Sequence, residues 1–185
     1  MHLDFVGRTS DAKERLIEAV QELIWRGSYG TTTIDLICER AGVKKGSFYY
    51  FFESKTDLAV AALEAKGEVK RVELDRIFSA SVSGLDRLLN YCDLVYADQV
   101  AQQKCCGRIL GCPMFSMGSE VCTNEPALGL KIREMLAGWT QYLEAAVRDA
   151  QAAGQVQVAD VGAAARMLLA FYEGVMTQSR ILNDP

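Results

Sequence analysis

Between positions 40 and 55 the chain gathers groups suited to a polyanion: Arg40, Lys44, Lys45 and Lys55, against the single carboxylate Glu53. Lys44-Lys45-Gly46-Ser47 places two ammonium groups, a residue without a side chain and a hydroxyl in succession. Ammonium and hydroxyl groups can bond phosphates and base edges, and Gly46 would let a nucleic-acid backbone come close. Tyr49 and Tyr50 follow with two phenol hydroxyls, while Phe48, Phe51 and Phe52 are expected to pack inward. Lys55 adds its charge to the partly positive N-terminus of the next predicted helix. Without their flanking motifs the lysines would read as a solvated turn.

These groups need helices to position them. Ser10 can cap a first helix, along which Leu16, Ile17, Val20, Leu23 and Ile24 recur on one face. Gly27 and Gly30 bracket its stop. A second helix starts at Thr32 or Thr33, where Thr32-x-x-Asp35 reads as a capping box, and it stops at Gly42. A short third helix runs from about Lys44 to Phe51. Ser54-x-x-Asp57 repeats the capping box and opens a long helix through Leu58, Leu63, Val69 and Ile77. Helix, glycine-containing turn and short helix form the helix-turn-helix plan, in which the second helix enters the major groove. Further helices are predicted over 85–100, from Asn124 to about Ala153, and from Asp160 to about Ile181; Gly111 and Pro113 interrupt the segment 107–118.

The bulk numbers narrow the alternatives. A net charge of −4 argues against a uniformly basic coat, so any DNA contact must be one local patch. No apolar run approaches the roughly 20 residues of a membrane helix, and the N-terminus has no secretory pattern. A cytoplasmic location is therefore expected. The one histidine, His2, leaves no partner for a Ser-His-Asp or Cys-His arrangement, and no phosphate loop or zinc-ligand spacing occurs. No enzyme, metal or cofactor is expected. A helical protein-interaction module would leave the cationic cluster unexplained.

The stretch TTTIDLICERAGVKKGSFYYFFESKTDL resembles the N-terminal domain of the TetR family in three separated motifs: TT-I-x-x-I-x-x-x-AGV, G-S-F-Y-Y-x-F, and x-S-K-x-x-L. The resemblance covers Asp11 to about Leu63. It implies an all-α fold, with a three-helix DNA-binding domain (1–55) joined by a long helix to a helical ligand-binding and dimerisation domain (56–185). It also implies that Tyr49 and Lys55 contact phosphates and that Lys44, Lys45, Gly46, Ser47 and Tyr50 face the groove. Thr33 would cap the bracing helix against a phosphate. A repressor is expected, released from a near-palindromic operator by a small molecule and dimeric through its last two helices. Leu110-Gly111-Cys112-Pro113, Glu120 and Asn124-Glu125-Pro126-Ala127-Leu128 look like a recurrent variant of the C-terminal domain, without naming a ligand.

For the effector pocket the candidates are Tyr91, Phe115, Met117, Trp139, Tyr142, Arg166, Phe171 and Tyr172, drawn from a wider set that includes Tyr96, Met114 and Met176. Such aromatic and methionine residues line apolar pockets, but at helical spacing they equally make core or interface. Arg166 and Glu173 are the polar groups expected among apolar neighbours, and Arg166 could pair with an anion. Leu143, Val147, Leu168, Phe171 and Val175 are assigned to the dimer interface. Most of the six cysteines are expected to be small buried hydrophobes. Cys105, Cys106, Cys112 and Cys122 raise an alternative, a regulator switched by cysteine oxidation within 105–122.

Overall fold

The computed structural model describes residues 4–185, with side chains from residue 11 onward. Among the described residues there are eight helices and no strand: α1 (Asp4–Arg26), α2 (Ile34–Ala41), α3 (Lys45–Phe51), α4 (Lys55–Ile77), α5 (Gly84–Cys106), α6 (Pro113–Val121), α7 (Pro126–Ala152) and α8 (Val161–Leu182). The expected all-α fold is observed. Because α1 begins at Asp4, Ser10 lies inside it and is not its cap; His2 lies outside the described residues.

The chain forms two compact units. Among the described residues, the first joins those up to Gly67 with 113–132, and the second joins 68–112 with 133–185. The boundary expected at 55/56 differs from this division, because α4 serves the first unit as far as Gly67 and α6 returns to it.

In the first unit, Leu16, Ala19 and Val20 of α1 meet Ile37, Cys38 and Ala41 of α2, Phe48 of α3, Phe52, and Leu58 and Ala62 of α4. The i, i+3, i+4 spacing on α1 is what turns these residues to one side. Helix α2 ends on Gly42 at φ +64°, whose N–H reaches Cys38 O and Glu39 O. A side chain at that φ would be strained, and the glycine permits the abrupt turn into α3.

In the second unit, Leu74 and Ile77 of α4 pack with Leu88 and Tyr91 of α5, Leu143, Ala146 and Val147 of α7, and Ala165, Leu169 and Tyr172 of α8. Gly84 lets α5 start against α7, since a Cβ there would lie 2.3 Å from Ala146 O and 2.4 Å from Ala150 N. Arg87 is buried and bound twice, donating to Val82 O at 2.8 Å and to Asp149 Oδ2 at 2.7 Å.

Candidate DNA-binding interface

Two threonines shape the start of α2. Thr33 is the N-cap, its hydroxyl accepting from Leu36 N at 3.2 Å. Thr32 is buried, and its hydroxyl donates to Ser28 O at 2.7 Å. The expected Thr32–Asp35 capping box therefore does not form: the cap falls one residue later, and Leu36 has no side-chain acceptor to return the bond. Asp35 is instead the partner of Lys45 Nζ at 2.7 Å, and this bond holds the lysine above its ordinary pKa. The second box stands in part, with Asp57 N donating to Ser54 Oγ at 3.1 Å.

Helix α3 has an inner and an outer face. Phe48 is wholly buried, and Phe52 is buried beside it with ring centres 6.1 Å apart. Tyr49 is 57% exposed and Tyr50 74% exposed. Tyr49 sets its ring edgewise on Phe48 at 5.2 Å, and Tyr50 does the same to half-buried Phe51 at 4.8 Å. Among the described residues neither hydroxyl is committed to a partner in the chain. Lys44, the N-cap of α3, is exposed and makes no side-chain capping bond. Ser47 is half-buried. A Cβ added at Gly46 would meet nothing within 4 Å, so the chain's own packing does not require glycine there.

The cationic patch is smaller than its sequence count. Arg40 is clamped by Glu22 through Nε and Nη2 at 2.7 Å, a bidentate pair tying α2 to α1. Lys55 is turned inward: its Nζ donates to Tyr29 O at 2.8 Å and Thr32 O at 2.9 Å and lies 3.9 Å from the Tyr29 ring centre. Burial lowers its pKa, with Glu125 and Glu120 opposing that shift. In the free chain this ammonium braces the turn between α1 and α2.

Sequence reasoning gave no role here to Glu120 and Glu125. Glu120, just before the end of α6, accepts from Tyr29 N at 3.0 Å and from Gly30 N at 2.7 Å. Thr56 donates to Glu125 Oε2 at 3.0 Å and lies 3.0 Å from Tyr29 Oη. Both glutamates fall in the motif segments noted in the sequence, but their partners are 69 to 91 residues away.

The proposed effector residues do not form one group. Phe115 and Met117 belong to the first unit. Tyr91, Trp139 and Tyr142 of the second unit line a small space with Phe78, Leu143 and Leu169. Tyr172 is buried edgewise on Tyr91 at 4.8 Å and donates from its hydroxyl to Leu88 O at 3.3 Å. Arg166 and Phe171 are exposed on α8, as is Tyr96 on α5, so none of them lines a core pocket; each falls on the outer face of its helix. Leu143 and Val147 are core of their own unit rather than free interface, whereas Phe171 and Val175 are exposed. Glu173 is 2% exposed, and among the described residues neither carboxyl oxygen has an oriented hydrogen-bond partner. Burial pushes its pKa up to about 7, partly offset by the Cys112 thiol.

Only Cys38 and Cys112 are buried; Cys92, Cys105 and Cys122 are exposed and Cys106 is half-buried. The expectation of mostly buried thiols fails because these cysteines occupy solvent-facing positions on or just past their helices. Among the described residues no cluster of three or more His, Cys, Asp or Glu side chains could hold a metal. No described helix is long and apolar enough to cross a membrane.

Comparison with known proteins places this geometry. A family model described as bacterial regulatory proteins, tetR family, matches residues 16–62, and one described as tetracyclin repressor-like, C-terminal domain, matches 84–185. The transcriptional regulator AcuR of Cereibacter sphaeroides is 26% identical over 94% of this chain and 78% of its own length. The HTH-type transcriptional repressor NemR of Escherichia coli is 30% identical over 60% of this chain and 55% of its own. The chain thus spans about half the length of the curated relatives it matches at that identity. The solved regulatory protein TetR from Rhodobacter sphaeroides superposes with a TM-score of 0.84 at 25% identity, over 94% of this chain and 91% of that one.

Proposed function

The chain belongs to the TetR family of bacterial regulatory proteins, and on that premise we propose that it is a transcriptional repressor that leaves its operator when a small molecule binds. The observation that carries the reading is the two-faced α3, with Phe48 fully buried and Tyr49 and Tyr50 presented outward. A buried aromatic fixes the helix against the core while two phenols and the Lys44–Ser47 start remain available to the groove. Tyr49 serves phosphate, and Lys44, Gly46, Ser47 and Tyr50 face base edges and backbone. Lys45 reaches DNA by exchanging Asp35 for phosphate. Thr33 meets a phosphate at the N-terminus of α2, where the helix dipole adds to its hydroxyl.

Two reading heads are needed to span successive major grooves, so the working species is a homodimer on a near-palindrome with half-sites about 34 Å or a multiple apart. Met167, Phe171 and Val175 stand at i, i+4, i+8 on α8 and are exposed, which supports the last helix as part of the pairing face. The effector acts through its differential affinity for two arrangements of the dimer. Its place in the second unit is beside Tyr91, Trp139 and Tyr142, with Tyr172 behind Tyr91. The space there is only about 10 Å³, no more than one water, so these side chains must part to admit it.

Binding of the full chain to DNA upstream of its own coding region tests the reading. A footprint over a near-palindrome supports it, and indifference to sequence in a folded dimer contradicts it. The oxidation reading is favoured by one observation, the exposure of Cys105. Against it, Cys105 sits in the last turn of α5, where helix carbonyls oppose the thiolate a sensor needs. Peroxide that frees DNA from the native chain but not from a Cys105→Ser, Cys106→Ser variant would establish oxidation as the switch.

A further inference from the structure

The first unit contains a cavity of about 70 Å³ that DNA binding does not use. Helix α1 supplies Ile24 and Trp25, α4 supplies Leu63 and Lys66, and α6 supplies Pro113 and Met117. One water needs roughly 10–15 Å³ of such space, so the cavity is more than a packing gap. Buried Ala59 and Ala62 keep the α4 wall low. The wall is apolar with two exceptions. Gln21 commits its amide nitrogen to Ala62 O at 2.8 Å. Lys66 is exposed at the rim, its ammonium 5.2 Å from the Trp25 ring centre. Among the described residues it is paired with no carboxylate; nearby Glu64 is taken by Lys131 at 2.9 Å.

We propose that this cavity binds a small organic carboxylate with an aromatic or short branched tail. The tail displaces water from the apolar wall beside the indole, and the carboxylate meets the Lys66 ammonium at the mouth. The residues differ from those assigned to the effector in the second unit, so the inference does not rest on that assignment. Its consequence follows from the wall. Helices α1 and α4 carry the core that supports α3, while α6 carries Glu120, the carboxylate that holds the Tyr29–Gly30 turn. An occupant changes the spacing between α6 and the α1–α4 pair, and with it the turn leading into α2.

The two tryptophans make the test direct. In full-length Trp139→Phe, Trp25 is the sole indole and lies on the cavity wall. Benzoate is expected to quench it saturably, with half-saturation on the order of 1 mM for a ligand of this size. Lys66→Met keeps the apolar stem without the charge and is expected to weaken binding about tenfold, while benzylamine gives no saturable change. Ala62→Leu, placed in the cavity, is expected to abolish quenching; far-UV circular dichroism checks that each variant is folded. The proposal is overturned if benzoate gives no saturable change, if folded Lys66→Met binds it equally well, or if the only response comes from Trp139 in Trp25→Phe.

Discussion

The carboxylate of Glu120 holds the backbone of Gly30, accepting its N–H at 2.7 Å while its second oxygen takes the N–H of Tyr29 at 3.0 Å. Two charge-assisted bonds thus fix the turn that aims α2, and they come from a residue 90 positions later in the chain. Glu120→Ala is expected to lower the stability of the free protein by about 1 kcal/mol in urea denaturation, because the site is partly solvated. Glu120→Gln keeps one acceptor and should fall between. Operator affinity should decline in the same order.

Tyr49→Phe and Tyr50→Phe remove hydroxyls that have no partner among the described residues. Thermal melting should change by less than about 0.5 kcal/mol equivalent, while operator affinity measured by fluorescence anisotropy falls severalfold for Tyr49→Phe. Phe48→Ala makes the contrast, with an expected loss of about 3–5 kcal/mol from a fully buried ring. Unaltered DNA affinity in Tyr49→Phe would return that residue to a packing role.

For Lys55, whose phosphate contact is expected from the family resemblance alone, the inward bonds add a second consequence. Lys55→Ala strands the Tyr29 and Thr32 carbonyls and is expected to cost about 1–2 kcal/mol of stability. It should also weaken binding to every DNA sequence and reduce the salt slope by about one. A loss of stability with an unchanged slope would leave Lys55 as a brace alone.

Much of the reading head is legible in sequence because its signals are local. Gly42, Phe48 and Phe52 are read from a glycine stop and spacing within one or two turns. The start of α2 is read to within one residue, the cap being Thr33 and not the Thr32 of the expected box. What escaped is non-local. The return of residues 113–132 to the first unit depends on Glu120 and Glu125 finding Gly30, Tyr29 and Thr56, and no periodicity encodes that pairing. Leu143 and Val147 lie on an apolar stripe, which fixes that they are covered but not by what; the structure covers them within their own unit. The inward turn of Lys55 and the Asp35–Lys45 pair are likewise rotamer choices that composition cannot register.

Glu173 makes stability depend on pH. Its folded pKa is raised from 4.5 to about 7 by burial, while Cys112 and Tyr91 are the titratable groups that interact with it. The folded state therefore holds this proton more tightly than the unfolded chain. Stability should fall as pH rises from about 4.5 to about 7 and then level off, by about 3 kcal/mol at most. Glu173→Gln should flatten that part of the profile, as read by urea midpoints across pH.

The proposed pairing face on α8 has its own check. Phe171 is 65% exposed, so Phe171→Glu should leave the fold intact and shift the chain towards monomer in analytical ultracentrifugation. Operator affinity should fall with it, since one reading head captures only half of a palindrome. Leu143→Ala should instead destabilise the second unit by about 2–5 kcal/mol.

The central claim is most directly tested by titrating the full-length protein against its upstream DNA and a scrambled duplex over a range of salt. The account predicts a specific complex at least about 10³-fold tighter than the scrambled one, weakened by Tyr49→Phe on the operator. Equal, weak affinity for both duplexes by a folded dimer, unmoved by Tyr49→Phe, would contradict it.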